Sequence, residues 1–469
     1  MPVAEAYRAA PRYLDLGPGF ADEVPAARFP EAVLRFRNQP WAERVGLGPL
    51  SHAEWKNAFW AFHALPNNLP EPLATRYHGH QFRTYNPNIG DGRGFLFAQL
   101  RDDRGRLLDL GTKGSGRTPH SRGGDGRLTL KGAVREILAT ELLEARGVPT
   151  SKTFSVFETG EALQRSDEPS PTRSAVLVRL SHSHIRFGTF QRHAHHNDTA
   201  RVRALVEHSV EHYYPELANE ADVPFAFFRG VLPNAVRMVA AWMAAGFVHG
   251  VLNTDNMNIT GESFDYGPWR FLARYDPTFI AAYFDGTGLY AYGRQVEAVG
   301  WNLARLAEAL KPLSPSAPWQ DAVNEYEALA RRAVPRHFLR RLGLAAADDD
   351  TNATTLEACL AYLGETPVPF SQFIHDLYGK RSFCESPFAS QYTGARFAAV
   401  QAAFDHHEVG AQADLNHPHL TRPYPVDLRI EEVEELWARI DFYDDWAPLA
   451  WKIEDIRASA PPAALSSRE

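Results

Sequence analysis

His249-Gly250-Val251-Leu252-Asn253-Thr254-Asp255-Asn256, followed nine residues later by Asp265-Tyr266-Gly267, is the part of this chain on which its reading turns. An apolar, helix-like run leads into the first stretch, which sets an Asp beside an Asn. The second is an Asp-aromatic-Gly triplet. Asn and Asp side chains held on loops near helix ends supply hard oxygen ligands for Mg²⁺ on a nucleotide. Asn, Asp and Gly are also the commonest turn residues, so either stretch alone reads equally well as a turn. The elements around them decide between the two.

Upstream, the character of the chain changes at Tyr77. His78-Gly79-His80-Gln81-Phe82 leads into Asn88-Ile89-Gly90-Asp91-Gly92-Arg93-Gly94, then an apolar run over residues 95–100. Asp102-Asp103-Arg104-Gly105 signals a turn before residues 107–110, which predicts a β-hairpin behind a Gly-rich turn. Next come Gly111-Thr112-Lys113-Gly114-Ser115-Gly116-Arg117 and Gly123-Gly124-Asp125-Gly126-Arg127. Glycines this dense let main-chain N–H groups approach an anion, and Lys or Arg supplies the charge. The Walker order of residues is absent. A Gly-rich stretch by itself is more often a loop, but two of them bracketing Lys113 favour phosphate. Gly-Asp-Gly-Arg occurs at 90–93 and again at 124–127; the flanks do not recur, so these are two similar turns and not a repeat.

Residues 130–146 carry apolar side chains at helical spacing, with Gly147 as a stop. On an ideal wheel Glu141 falls on the apolar stripe and Glu136 off it, so periodicity alone selects Glu141 as the buried partner of a lysine. Strands are expected at 153–158 and 175–180, and mainly helical sequence from about residue 200. Within that region 233–247 reads as a buried helix and 294–310 as an amphipathic one. Residues 346–355 read as an acidic linker, 406–427 as irregular, and 459–469 as a frayed tail. His182, His184, His193, His195 and His196 suggest a metal cluster, but no acids stand near them at regular spacing, and surface or loop histidines are the preferred reading.

Bulk composition limits the alternatives. The 469 residues are 44% hydrophobic and 12% aromatic, enough for a sizeable core. Lys and Arg number 49 against 57 Asp and Glu, so no net basic field draws the whole protein onto nucleic acid. Two cysteines argue against a disulfide framework or a cysteine-rich zinc site. Residues 1–11 lack an apolar core of signal-peptide type, and no run approaches a membrane span. A soluble cytoplasmic protein is expected.

Gly-rich turn, strand with Lys, helix with Glu, two strands, helices, loop, Asp-aromatic-Gly: this is the order of parts in a protein kinase. His249 to Asn256 also keeps the kinase spacing from catalytic-loop His to metal-binding Asn. Gly250 and Val251, however, stand where the rest of His-Arg-Asp would be. Gly79-His80-Gln81-Phe82, Gly90-Asp91-Gly92-Arg93, Lys113-Gly114-Ser115-Gly116, Val134-Arg135-Glu136, Ser183-His184-Ile185-Arg186, Asn253-Thr254-Asp255-Asn256, Asp265-Tyr266-Gly267-Pro268 and Trp301-Asn302-Leu303-Ala304-Arg305-Leu306 resemble the SelO (selenoprotein O) family. Its members are kinase-like proteins that transfer AMP from ATP to protein hydroxyls. The motifs cover about residues 77–311.

That resemblance implies an α+β, protein kinase-like bilobal fold with a small β-rich N-lobe and a larger, mainly helical C-lobe. The corresponding segments are an N-terminal extension at 1–76, the N-lobe at 77–195, the C-lobe at 196–400 and a divergent C-terminal extension at 401–469. It further implies that Lys113 binds ATP phosphates with Glu136 as its helix partner, against the wheel. Gly90, Gly92 and Arg93 match the nucleotide loop, Asp125 and Gly126 a second loop, and Arg179 and Arg186 the phosphate-binding arginines. Asp255 matches the base; Asn256 and Asp265 match the ligands of Mg²⁺ or Mn²⁺. ATP would lie flipped relative to a kinase, with its γ-phosphate inside and its α-phosphate presented to a Ser, Thr or Tyr hydroxyl. Arg83 stands where the family has Gly, Asn88 where it has Gln, and Ile89 where it has Leu. The family's Asn-Pro…Arg-Asn-Tyr run is not cleanly present, and there is no C-terminal redox cysteine pair. Three alternatives stay open: an inactive kinase-like ATP-binding module, a conventional protein kinase, and a structural protein binding metal through its histidines.

Overall fold

The segment 172–181 is apolar at successive positions because both faces of the strand it forms are covered. The computed structural model describes residues 3–460. Among them the strands are β1 (Arg8–Ala9), β2 (Ala21–Glu23), β3 (Val33–Arg37), β4 (Leu73–Thr75), β5 (Gly79–Gln81), β6 (Thr84–Asn86), β7 (Leu96–Arg101), β8 (Leu107–Lys113), β9 (Leu128–Thr129), β10 (Lys152–Leu163), β11 (Thr172–Ser181), β12 (Phe247–Val248) and β13 (Arg270–Phe271). One antiparallel sheet runs β2-β4-β7-β8-β11-β10-β3, with β1 on β7 and β9 on β11; β5–β6 and β12–β13 are separate pairs. The expected hairpin is β7–β8, with Leu100 opposite Leu108 and the Gly105 N–H closing the turn on the Asp102 carbonyl at 3.0 Å.

Alternation along β11 sorts its side chains. Val176, Val178 and Leu180 join Trp55, Phe59 and Phe154 on one face, under α1 (Gln39–Arg44) and α2 (His52–Phe59). Ala175 and Leu177 join the other core, against α3 (Leu130–Ala145). Arg179 has the parity of Ala175 and Leu177. Lys113 lies directly opposite Leu177 in the register. Both cations therefore share the face that α3 covers.

Helix α3 is capped by Thr129, whose hydroxyl accepts the Gly132 N–H at 3.1 Å, and it is buried on almost every side. Both Glu136 and Glu141 are interior. A wheel sorts residues into one inner and one outer stripe, so it cannot separate two acids on a helix packed all round.

Below the sheet lie α4 (Phe187–His195), α5 (Thr199–Tyr213), α6 (Val223–Ala245), α7 (Gln295–Leu310), α8 (Trp319–Arg341), α9 (Asp349–Glu365), α10 (Phe370–Leu377) and α11 (Gly394–Phe404), whereas α12 (Ile430–Tyr443) and α13 (Ala447–Ala458) pack against α3. The buried helix expected over 233–247 is the second half of α6, which passes through Pro233 and ends at Gly246 in a left-handed conformation (φ +65°). This is the kinase-like bilobal α+β fold, with a curled antiparallel sheet above a helical lobe.

Two expectations need correcting, and one reaches beyond the described residues. The acidic run at 346–355 is not a linker. The Asp348 side chain accepts the Thr351 N–H at 2.9 Å, and Asp349 and Asp350 fill the first turn of α9, where carboxylates favour the N-terminal end of the helix dipole. Histidines read as surface or loop residues include buried ones. His184 donates its main-chain N–H to Asp109 Oδ2 at 2.7 Å, and His193 packs on Phe20. Of the expected tail, residues 461–469 lie outside the described residues.

The first and last segments are built into the N-lobe. β3 adds to the sheet edge on β10, and α12 and α13 pack on α3. Glu158 of β10 joins these segments through Arg35 of β3 (2.6 Å) and Arg173 of β11 (2.7 Å). Both arginines also reach Asp444 at the end of α12. Arg457 of α13 grips Glu141 with two hydrogen bonds of 2.7 Å.

Candidate active site

The pairing argued from the strand register is realised. Lys113 Nζ lies 2.7 Å from Glu136 Oε2 and 3.0 Å from Asp265 Oδ1. Arg179 Nη2 lies 2.9 Å from Glu136 Oε1 and 3.2 Å from Asp265 Oδ1. One lysine, one arginine and two carboxylates thus form a closed ring. Glu136 is fully buried within it, whereas the Asp265 side chain keeps 29% of its surface exposed. Burial pushes the Asp265 carboxyl up, but Lys113, Arg179, Arg186 and Arg93 outweigh it and hold it well below the usual carboxylate range. Asp265 sits at φ +65°, a conformation costly for a side-chain-bearing residue, so its placement is imposed by its surroundings.

His249 joins the two opening stretches. Its Nε2–H donates to the Phe264 carbonyl at 3.0 Å, one residue before Asp265, and its main-chain N–H donates to Gln295 of α7 at 3.1 Å. Asn302, also on α7, donates to the Leu252 carbonyl at 2.8 Å. Asn253 and Thr254 reach in the other direction. Asn253 Oδ1 accepts the Phe82 N–H at 3.0 Å and Thr254 Oγ1 accepts the His80 N–H at 2.7 Å, so the loop holds the β5–β6 hairpin from below. Arg83, at the family's glycine position, has φ +62°. Its guanidinium is tied to Glu297 at 2.6 Å, an anchor a glycine would not need.

Asp255 lies under that hairpin. Its Oδ1 is buried without a hydrogen-bond partner, and a Cβ on Gly79 would stand 2.8 Å from it. Burial raises the carboxyl to about 6, with Arg186 opposing the rise and Asp265 adding to it. Arg186 donates to the Asp255 main-chain carbonyl at 2.9 Å and to Asp91 Oδ1 at 3.2 Å, and it packs on the rings of Tyr77 and Phe264. Its Nε is also buried and unpaired. Unsatisfied buried polar groups are rare, and an acceptor and a donor left open on neighbouring residues mark a place where a ligand completes the bonding.

Asp91, inside the first Gly-Asp-Gly-Arg turn, has a part that its place in the sequence does not announce. Its Oδ2 accepts from Thr75 and its Oδ1 from Arg186, which pins the Gly90–Gly92 turn to the arginine. Side chains at Gly90 or Gly92 would run into His120, and one at Gly94 into the Thr112 carbonyl. Arg93 is exposed at the rim. Gly126 packs on Gly116 at φ +71°, just beyond Lys113. Asp125 is not drawn into the ring: it is exposed and bonded to Arg165 at 2.8 Å and to the Arg127 N–H at 2.9 Å. The two Gly-Asp-Gly-Arg turns therefore use their aspartates differently.

For a metal, Asn256 spends its amide N–H₂ on the Val251 carbonyl at 3.0 Å, which leaves its oxygen as a free ligand. Asn256 and Asp265 each offer a hard oxygen donor of the kind Mg²⁺ or Mn²⁺ takes. Among the described residues no group of three or more His, Cys, Asp or Glu side chains is arranged to hold a metal ion.

A kinase-like scaffold with an interior Lys–Glu–Arg–Asp ring, and no acid at the usual catalytic-loop position, defines a kinase-like transferase outside the conventional kinases. The chain matches the model of the family described as protein adenylyltransferase SelO over residues 4–457, and it belongs to that family. The match extends the likeness seen in the motifs of residues 77–311 to nearly the whole chain. Similar proteins are each called protein nucleotidyltransferase YdiU. The one from Synechocystis is 50% identical over 341 residues, covering 71% of this chain and 70% of the relative. That from Gloeobacter violaceus is 43% identical over 453 residues, 93% and 92% of the two chains. A third, from Cereibacter sphaeroides, is 42% identical over 342 residues, 71% and 69%. Among the described residues no helix is long and apolar enough to cross a membrane.

Proposed function

We propose that this enzyme transfers AMP from ATP to Ser, Thr or Tyr hydroxyls of proteins, with Asp255 as the base. The observation that carries this reading is the Asp255 carboxylate: buried, raised to about 6, one oxygen unpaired, and beside Arg186. A carboxylate at that value is ionised at neutral pH yet basic enough to accept a proton. The acceptor oxygen attacks the α-phosphorus, its proton passes to Asp255, and the bond to the β-phosphate oxygen breaks to release pyrophosphate.

Lys113, Arg179 and Arg186 would hold the inner phosphates. Arginine suits that task because its charge is permanent and its planar fork matches phosphate oxygens. Glu136 positions Lys113 and Arg179. Gly90 and Gly92 let the main chain approach the nucleotide, with Arg93 at the rim, and Gly126 with Asp125 forms the second loop. Asn256 and Asp265 would bind Mg²⁺ or Mn²⁺, which neutralises charge on the phosphates. The boundaries 77–195 and 196–400 for the two lobes belong to this reading, as does a cytoplasmic setting where ATP is at hand.

ATP labelled separately at the α- and γ-phosphates, supplied with Mg²⁺ or Mn²⁺, tests the proposal. Label from the α-phosphate should appear on protein, and Asp255→Ala and Asp265→Ala should abolish it. Label arriving from the γ-phosphate makes the enzyme a conventional kinase. Nucleotide binding with transfer of neither label makes it an inactive module.

A further inference from the structure

Behind α3, away from the Lys113 ring, a cavity of about 90 Å³ opens between the last turn of α3, α10 and the segment 414–426. Its wall is unbalanced in charge. Arg146, Arg341 and the histidines 375, 417 and 419 line it, against the single carboxylate of Asp414. Arg146 is neutralised by Asp427 at 2.9 Å and also donates to the Ala245 carbonyl and to Ser371 Oγ. Arg341 feels Asp427 only at longer range. Among the described residues its guanidinium makes no hydrogen bond or ion pair, and its Nε is sealed from solvent. Asp414 instead accepts the Asn416 N–H at 3.0 Å.

The open valences beside Arg341 are donors. His419 Nε2 accepts the Val426 N–H at 3.4 Å, so the neutral ring carries its hydrogen on Nδ1, which is buried and unpartnered. His417 Nδ1 accepts the His419 N–H at 3.2 Å, which puts its hydrogen on Nε2. Ser371 accepts from Arg146, and its own hydroxyl hydrogen is left over. Burial lowers the Arg341 guanidinium to about 9, and Arg146 adds to the effect. A half-buried cation that shares a cavity wall with unmet donors is relieved by an acceptor that carries negative charge. The cavity has room for several waters, and so for one compact ion.

We propose that this cavity binds a small oxyanion, phosphate or carboxylate in class, on Arg341, His417, His419 and Ser371. It is a site separate from the one proposed for ATP and shares no residue with it.

Calorimetric titration of the full chain with inorganic phosphate, and separately with acetate, tests this. Saturable binding is expected in the wild type and in Lys113→Ala, with affinity falling roughly ten-fold or more in Arg341→Gln. If Arg341→Gln fails to fold, as judged by near-UV circular dichroism, His417→Ala takes its place, because that ring is only half-buried; a several-fold loss is expected. Tighter phosphate than acetate assigns a phosphate group to the natural ligand, and the reverse order assigns a carboxylate. Absence of saturable binding for both anions overturns the proposal. So does equal affinity in the wild type and in whichever of the two variants folds.

Discussion

Replacing Arg457 with Met separates the roles of the two acids on α3. Glu141 is 4% exposed and keeps its charge through two hydrogen bonds from Arg457, itself 37% exposed. Removing one partner of a fully buried ion pair costs about 3–5 kcal/mol. Because Arg457 lies at the edge of the protein, solvent shares the load and about 2 kcal/mol is expected. Met keeps the apolar stem, so the loss isolates the charge. Burial raises the Glu141 carboxyl above 4.5. A raised acid favours the folded state below its unfolded value, and that advantage is lost as pH rises through the folded value. The deficit of Arg457→Met should accordingly shrink as pH falls towards 4, where a protonated Glu141 needs no cation. Denaturant titrations of the wild type, Arg457→Met, Glu141→Gln and the double variant measure the coupling. The double variant should recover most of the loss, with ATP binding changed little in all four. Coupling below about 0.5 kcal/mol, or a deficit that does not vary between pH 4 and 8, refutes the reasoning.

Lys113→Ala should lower AMP transfer by about 100-fold or more, because the ring loses the cation facing Glu136 and Asp265; unchanged ATP affinity and turnover would count against its assignment. Asn302→Ala leaves the buried Leu252 carbonyl without its donor and should cost about 1–3 kcal/mol, read as a lower melting temperature, together with slower transfer. Glu158 is pushed up by burial, but Arg173 and Arg35 prevail and hold its carboxyl below 4.5. A depressed acid stabilises the fold above its unfolded value and loses that contribution as pH falls. Glu158→Gln should therefore melt below the wild type at pH 7, with the gap closing below about pH 4. Identical melting curves at pH 7 would exclude the network as a brace.

What could be read from the sequence was local. The spacing from His249 to Asn256, the hairpin at 95–110 and the helix at 130–146 all rest on contacts within a few turns of chain, where period and turn chemistry are informative. Choosing Glu136 over Glu141 needed the family's spelling, since on a helix buried on every side the wheel favoured the wrong acid. The partners that explain Glu141, Asp91 and Glu158 are distant in sequence; Arg457 is 316 positions from Glu141. No periodicity encodes such a pairing. Asp348 to Asp350 misled for a different reason: carboxylates that look like a solvated link are what the start of a helix prefers.

The bracing of α3 by α13 sets an order of events during synthesis. Glu136 belongs to a helix translated in the first third of the chain, but the guanidinium that settles Glu141 on the same helix belongs to α13, among the last described residues. Domains fold as their residues emerge, at about 5–20 residues per second. For most of translation the helix that carries the proposed lysine partner therefore lacks both the cover and the counter-ion that Glu141 has in the finished fold. A nascent chain stalled before residue 457 should yield to protease along α3 and gain protection once α13 has left the ribosome.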